Sequence, residues 1–336
     1  MRHPSPRVYV GIVTYNSAVL MRKCIDAVLR QSYKTVTVII LDNNSVDDID
    51  QIIKHYDKKI VFIKSRLNYG FGGGHNRIIQ SVQLQKQDYY LALNPDATLD
   101  SNCVKALVEG ARKHRADWAT GKLYKDFHTN TLYSVGHAIL RDGYAFNIGH
   151  ECKDEGQYSD VREVFGAAGA AALYKGSMIQ AVSVSGNFFD PALFMYYEDV
   201  DVDWRARLLG LHCWFIPNAI VHHRGGLFPS HLEAGVLVNR FVSVVKNAYW
   251  IDLVVYNAPI ILLHTIIRLI ITPKVGVQII LQLFRSAQYA LFHRTQSKIS
   301  RSDLLAWFAR SVQEDSGVPI THRQRMFAFS RRHNQK

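Results

Sequence analysis

Val8-Tyr9-Val10-Gly11-Ile12-Val13-Thr14-Tyr15-Asn16-Ser17 is the stretch on which the fold turns. Its first six residues form a largely apolar run rich in β-branched side chains, and Thr14 to Ser17 are polar. Beyond them the apolar residues Leu20, Cys24, Ala27 and Val28 return at helical spacing. That order predicts strand, loop, helix. The pattern then repeats: Thr37 to Leu41 reads as a strand ending in Asp42-Asn43-Asn44-Ser45, and Ile49, Ile52 and Ile53 mark a second helix. Ile60 to Ile63 gives a third strand, Asn68 to Asn76 a glycine-rich loop, Arg77 to Gln85 a helix, and Tyr89 to Leu93 a strand that stops at Asn94-Pro95-Asp96. Strands alternating with helices predict an α/β fold with a parallel sheet. Such sheets bind ligands beyond the carboxyl ends of their strands, so Thr14 to Asn16, Asp42 to Asn44 and Asn94 to Asp96 converge on one rim. From Ala116 to Ala181 only short strands are visible, near Leu132 to Leu140 and Ala170 to Tyr174, and their order cannot be read.

The chain has 336 residues, 48% of them hydrophobic, enough to bury a full core. Cys24, Cys103, Cys152 and Cys213 stand far apart, without disulfide or metal-ligand spacing, which fits a reducing compartment. Met1 to Pro6 carries no signal-peptide pattern, so the expectation is a catalytic part on the cytoplasmic side. The net charge of +12 is uneven. Met1 to Asn239 holds 26 basic and 24 acidic residues, whereas Arg240 to Lys336 holds 14 and 4. A boundary is therefore expected near residue 250, with residues 1–250 catalytic and 251–336 a basic, amphipathic helical region.

Each polar cluster has a structural reading beside a chemical one. Asp42 can cap a turn, or its carboxylate, beside Asn43, can accept the N3–H of a pyrimidine base. In Asn68 to Asn76 the glycines, Gly72 among them, let backbone N–H groups approach an anion, or serve steric needs alone. The spacing fits neither a phosphate-binding Gly-Lys-Ser/Thr loop nor a dinucleotide fingerprint. Asp96, held by Pro95, can cap a helix running from Leu99 onward, or can serve a divalent cation, which takes one or two carboxylates and completes its shell with substrate phosphates. Glu198-Asp199-Val200-Asp201-Val202-Asp203 opens a predicted helix from about Asp199 to Leu209. Compensation of the helix dipole accounts for Asp201 and Asp203 but less well for Glu198 and Asp199. A carboxylate beside a like charge and under aromatic cover is suited to deprotonate a sugar hydroxyl, and Asp199 is the expected base. Val221-His222-His223 ends another short strand, with His222 the expected cation or phosphate ligand.

Near the C-terminus Pro259 and Pro273 bracket an apolar segment, Ile260 to Thr272, in which His264, Arg268 and Thr272 form a stripe. Gly276 to His293 is a second amphipathic segment. Neither offers the roughly 20 uninterrupted apolar residues of a spanning helix, so an interfacial hairpin is expected, with a pair of core helices as the alternative. Arg285, Arg294, Lys298, Arg301, Arg310, Arg323, Arg325, Arg331 and Arg332 favour an anionic membrane surface over nucleic acid, because aliphatic stripes interleave them.

Together these segments resemble glycosyltransferase family 2, and within it the bacterial rhamnosyltransferase-like group. The resemblance rests on Val10 to Asn16, Asp42 to Ser45, Asn68 to Asn76, Leu93 to Asp96, Ser185-Gly186-Asn187-Phe188-Phe189-Asp190, Tyr197 to Asp201 and Val221 to His223. It covers residues 7–250. It implies a nucleotide-diphospho-sugar transferase fold of the GT-A type, with a mostly parallel central sheet, and an inverting single displacement. It implies a nucleotide site lined by Thr14, Tyr15, Asn16, Asp42 and Asn43, with Asn68, Gly72, Asn76 and Asn94 alongside. It also implies a Mg²⁺ or Mn²⁺ position at Asp96 with His222, a catalytic base at Asp199, and Glu198, Asp201 and Gly186 around the acceptor. Asn94 departs from the family, many members of which carry aspartate there. The implied partners are a nucleotide-sugar donor, led by dTDP-L-rhamnose ahead of UDP-galactofuranose, UDP-glucose and UDP-N-acetylglucosamine, and a saccharide or lipid-linked saccharide acceptor. The implied location is peripheral, at the inner face of the cell membrane. A nucleotidyltransferase would carry Gly-X-Gly-Thr-Arg where Thr14-Tyr15-Asn16 stands, and a non-catalytic sugar-nucleotide scaffold would have no need of Asp96 and Asp199 together.

Overall fold

A computed structural model of the chain describes residues 5–56, 58–126, 129–225 and 233–309. The opening stretch forms β1 (Val8–Thr14), with all seven residues buried, followed by α1 (Ala18–Leu29), β2 (Val36–Asp42), α2 (Ile49–Lys54), β3 (Val61–Lys64), α3 (Gly70–Gln80) and β4 (Tyr89–Leu93). These four strands run parallel in the order β3-β2-β1-β4, and the β1–β2 register sets Thr14 opposite Asp42. Both faces of β1 are covered. Val8, Val10 and Ile12 join one apolar cluster, and Tyr9 and Val13 join the other, which is why the strand reads as a continuous hydrophobic run.

The stretch without readable order completes the sheet. It continues through β5 (Ala97–Leu99), α4 (Cys103–Lys113), β6 (Trp118–Tyr124), β7 (Leu132–Ser134), β8 (His137–Ile139), β9 (Ala145–Asn147), β10 (Arg162–Val164), β11 (Ala171–Lys175), α5 (Gly176–Val182), α6 (Glu198–Leu208) and β12 (Cys213–His223). Strand β11 lies antiparallel between β4 and β6, β12 runs parallel to β6, and β5 lies antiparallel on the end of β12. The sheet is mixed, with its parallel half where the sequence places it.

Three expectations change here. The glycine-rich segment is helix rather than loop, because its glycines let α3 pack closely. A Cβ on Gly74 would stand 2.7 Å from a Val13 methyl, and one on Gly72 would stand 2.8 Å from the Phe189 Cβ. Leu99, expected to open a helix, ends β5, and the helix begins at Cys103. The strand before His222 and His223 is 11 residues long and accommodates Pro217 where its register on β6 shifts.

The described residues fall into two compact units, one within Met1–His137 and Asn147–Gly225, the other within Ala138–Phe146 and Gly226–Lys336. The expected boundary near residue 250 falls inside the second of these units. In the second unit α7 (Glu233–Asn247) precedes a helix over Trp250–Ile271 and another over Pro273–Phe292. The Trp250–Ile271 helix, 22 residues long, is long and apolar enough to cross a membrane by length and composition, contrary to the shorter segment expected. Pro259 does not break it. A π turn at Leu253–Asn257 widens the backbone just before the proline, where its ring would meet a carbonyl and its missing N–H would interrupt the ladder. Arg268 pairs with Glu233 at 2.8 Å, and Arg141 and Arg301 both hold Asp252. Arg310, Arg323, Arg325, Arg331 and Arg332 lie outside the described residues.

Candidate functional site

The loops that leave β1 and β2 are sewn together. Asn16, in a left-handed conformation at φ 49, donates its N–H to Ser45 Oγ at 2.9 Å and accepts the Val46 N–H at 2.9 Å. Asn43 donates its N–H to the Thr14 carbonyl at 2.8 Å. Asp42 divides its two oxygens: Oδ1 accepts the Ser45 N–H at 2.9 Å, closing the turn, while Oδ2 is buried with no protein partner. Thr14 Oγ1 is buried and unpartnered too. A buried polar atom without a hydrogen bond costs about 1–3 kcal/mol, so two at neighbouring strand ends single out this rim as a candidate site for a polar ligand. Tyr15 beside them is 49% exposed.

The remaining residues of this group hold the backbone. Asn43 donates its amide to Asn68 Oδ1 and the Gly70 carbonyl and accepts the Tyr69 N–H, fixing the start of α3. Asn68 Oδ1 also accepts the Gly70 N–H. Asn76, buried, donates to the Phe189 carbonyl at 2.7 Å and accepts the N–H groups of Phe188 and Phe189. Gly186 sits at φ 78 in a turn whose carbonyl accepts from Gln80. Polar spacing marked these positions, but their side chains and glycine geometry tie α3 to the segment before α6.

Beyond β4 the ends of two strands meet. Strand β5 pairs with β12 so that Ala97 stands opposite His223, which brings His223 Nε2 to 3.2 Å from Asp96 Oδ1 and 3.2 Å from the Asn94 amide nitrogen. Burial pulls the Asp96 carboxyl upward, but the hydrogen bond and charge of His223, with backbone N–H groups, outweigh it and hold the group below its ordinary value. His222, the expected ligand, points away. Alternate residues of a strand face opposite sides, and His222 stacks on Tyr124 with Nε2 3.3 Å from Asp100. His223 Nδ1 is buried and unpartnered. No group of three or more His, Cys, Asp or Glu residues able to hold a metal occurs among the described residues. One carboxylate beside one imidazole is a partial shell, which suits a cation whose other ligands arrive with a substrate.

The acidic run opens α6, and the chain enters it through Phe194, Tyr196 and Tyr197 at φ 31, 68 and 70, a strained approach for non-glycine residues. Its carboxylates separate by helical position. Glu198 is 6% exposed, and burial, then the charge of Asp199, pushes its carboxyl well above the usual range. Asp199 is only partly buried; its Oδ2 accepts the Gly169 N–H at 2.9 Å and its Oδ1 accepts the Val200 N–H at 2.8 Å. Asp201 is buried and pairs with Arg205 at 2.8 Å, and Arg205 also donates to the Val182 and Phe188 carbonyls. Dipole compensation by solvated acids is therefore not the role of Asp201, nor of Asp203, which is buried and bonded to His137 at 2.8 Å.

Tyr133 links the two ends of the site. Its ring packs edge to face with that of His223, the centroids 4.4 Å apart, and burial, then the charges of Asp199 and Asp96, raise its hydroxyl to about 12. Sequence reading missed Tyr133, His137, Asp203 and the role of His223. Only Asp203 had a local signal, four residues from Asp199 and so on the same helix face.

The model of Glycosyl transferase family 2 matches residues 9–182. The N-acetylglucosaminyl-diphospho-decaprenol L-rhamnosyltransferase of Mycobacterium tuberculosis is 24% identical over 249 residues, 67% of this chain and 80% of that protein. The rhamnosyltransferase WbbL of Escherichia coli K12 is 28% identical over 221 residues, 62% of this chain and 80% of that protein. Glycosyltransferase GlyA of Streptococcus pneumoniae is 24% identical over 141 residues, 41% of this chain, which spans only 19% of GlyA. Among solved structures, GalNAc-T7 with UDP, GalNAc and Mn²⁺ superposes with a TM-score of 0.59 at 13% identity, over 73% of this chain and 48% of that one. That likeness shows the GT-A fold alone.

Proposed function

This chain belongs to glycosyl transferase family 2, and on that premise we propose that it is an inverting, cation-dependent transferase carrying a sugar from a nucleoside diphosphate donor to a saccharide or lipid-linked saccharide acceptor in surface polysaccharide biosynthesis. L-Rhamnose from dTDP-L-rhamnose is the first donor to test, since two relatives are named rhamnosyltransferases. The observation that carries the reading is the join between the two ends of the site: Asp199 Oδ2 accepts the Gly169 N–H at 2.9 Å and the next carbonyl, that of Ala170, accepts the Asn94 N–H at 3.0 Å, which supports the cation-type pair and the partly exposed carboxylate serving one site.

Thr14 Oγ1 and Asp42 Oδ2 hold the donor base, the carboxylate oxygen accepting the pyrimidine N3–H, and Tyr15 packs on the base or ribose. Asp96 and His223, with Asn94 beside them, would hold Mg²⁺ or Mn²⁺, which when bound would supply positive charge to offset that of the departing diphosphate. Asp199 accepts the proton of the acceptor hydroxyl as its oxygen attacks the anomeric carbon from the face opposite the diphosphate, so configuration inverts with no covalent intermediate. Burial and the charge of Asp199 raise the proton affinity of Glu198 behind it, which disfavours a second negative charge there.

The second unit attaches the enzyme peripherally to the inner face of the cell membrane. Val254, Leu262, Ile270, Phe284 and Phe292 are exposed on its helices, with Lys274, Arg285 and Lys298 exposed nearby, a combination suited to apolar burial beside anionic headgroups.

Transfer should be measured across a donor panel with and without Mn²⁺ or Mg²⁺, for wild type, Asp199→Asn and Asp96→Ala. Turnover of one donor that requires cation and both aspartates is expected. Donor binding with no turnover of any acceptor by the wild type would instead favour a sugar-nucleotide scaffold.

A further inference from the structure

The best-built polar cluster that donor and acceptor binding leave unused lies behind Asp199. His137, 6% exposed, has Nδ1 at 2.8 Å from Asp203 Oδ2, and its Nε2 faces Asp199 Oδ2 at 3.8 Å. Asp203 is fully buried, and it accepts further from the Trp118 indole at 2.9 Å and the Ala167 N–H at 3.2 Å. The backbone makes room for it: a Cβ on Gly166 would fall 1.8 Å from Asp203 Oδ2, and the Gly166 carbonyl accepts the His137 N–H at 2.8 Å. Three residues on, the Gly169 N–H holds Asp199 Oδ2, and a Cβ there would stand 3.0 Å from it. One short segment, Gly166 to Gly169, thus seats both carboxylates that His137 faces, and helical spacing of four aligns them.

We propose that His137, held by Asp203, is a positioning residue that sets its Nε2 against Asp199 and so keeps Asp199 usable as a base at the lower end of its working pH range. This rests on the reading of Asp199 as the base. Burial alone would keep the imidazole neutral, but the charge of Asp199 and the hydrogen bond and charge of Asp203 reverse that and raise its affinity for a proton. Asp203 is itself pushed up to about 6 by burial, against the pull of His137. The other titratable groups nearby are Tyr174 and Cys213, which burial keeps neutral, the Arg207 guanidinium in reach of Asp203, and Glu198 and Tyr133 in reach of Asp199. A cation within about 4–6 Å of a carboxylate favours its ionised form.

Two measurements on the full chain test this. In ¹⁵N-histidine NMR, the resonance assigned to His137 by its loss in His137→Gln should titrate above the ordinary histidine value of about 6.5 in wild type, and at lower pH in Asp203→Asn and in Asp199→Asn. In pH profiles of kcat/KM, the acid limb should move up by about one unit or more in His137→Gln and Asp203→Asn, with the alkaline plateau kept within about tenfold. A limb that stays in place while turnover falls equally at every pH reduces His137 to packing and overturns the proposal. So does a His137 that titrates at or below that ordinary value in wild type. If Asp199→Asn retains turnover the base assignment fails by itself, and the NMR titration still reports whether Asp199 and His137 are coupled.

Discussion

Neighbouring residues on a strand face opposite ways, so only one of His222 and His223 can meet Asp96, and the pairing of β5 on β12 selects His223. Replacing His223 by Ala should weaken cation-dependent turnover about tenfold or more, read as a higher Mn²⁺ concentration for half-maximal rate. His222→Ala, with its ring on Tyr124, should stay within about threefold of wild type. The reverse order would return the ligand to His222. Glu198 supports a prediction of a different kind. Its folded-state proton affinity is raised by burial and by Asp199, so the folded protein binds a proton that the unfolded chain has released. Stability on this account is full below the ordinary glutamate range near 4.3 and declines as pH rises from there toward the raised value. Glu198→Gln keeps the shape of the protonated form without the titration. Thermal melts at pH 5.5 and 8 should show the variant gaining on wild type at the higher pH; an equal difference at both would mean that Glu198 ionises freely in the folded protein.

At the scale of elements, glycine separates close packing from mere permissiveness. In α3 a Cβ at Gly72 would press on Phe189 at 2.8 Å, so Gly72→Ala should destabilise by about 1–3 kcal/mol in urea unfolding. In α7 Gly235 has nothing within 4 Å of that position, and Gly235→Ala should stabilise by about 0.5–1 kcal/mol through helix propensity alone. The same contrast explains what could be read from the sequence. Strands β1, β2 and β4 were legible because parallel strands covered on both faces are continuous apolar runs that end in polar residues at the ligand rim. Helix α3 was not, because Gly70 to Gly74 violate helix propensity for the sake of contacts with Val13 and Phe189 that only the folded chain shows. Strand β12 was curtailed by Pro217, and the Trp250–Ile271 helix by Pro259, each accommodated by a local irregularity without a sequence signature. His137 and Tyr133 sit among short antiparallel strands, where pairing partners are remote in sequence, so their approach to Asp199 and His223 had no local trace.

At the scale of the whole molecule, the exposed apolar residues of the second unit are too many for ordinary solvent-facing helices. Trp250, Val254, Val255, Leu262, Ile270, Phe284 and Phe292 are each at least 59% exposed, and Phe284 and Phe292 reach 86% and 85%. Exposed apolar side chains in such number fit an interaction site, and exposed Lys274, Arg285 and Lys298 support the proposal of an anionic bilayer as its partner. Burying one large side chain contributes about 1.5–3 kcal/mol, so Ile270→Glu with Phe284→Glu should lower affinity for anionic vesicles by at least tenfold. Salt distinguishes the two contributions: added salt should weaken wild-type binding through the basic residues, yet a residual apolar affinity should persist in wild type and be missing from the double variant. Alkaline carbonate decides the mode of attachment, since a peripheral protein is released and a helix crossing the bilayer is retained. Retention would make Trp250–Ile271 a membrane span, whereas failure of wild type to sediment with anionic vesicles at moderate salt would remove the membrane from the proposal while leaving the chemistry of Asp199 and Asp96 to be judged by the donor panel.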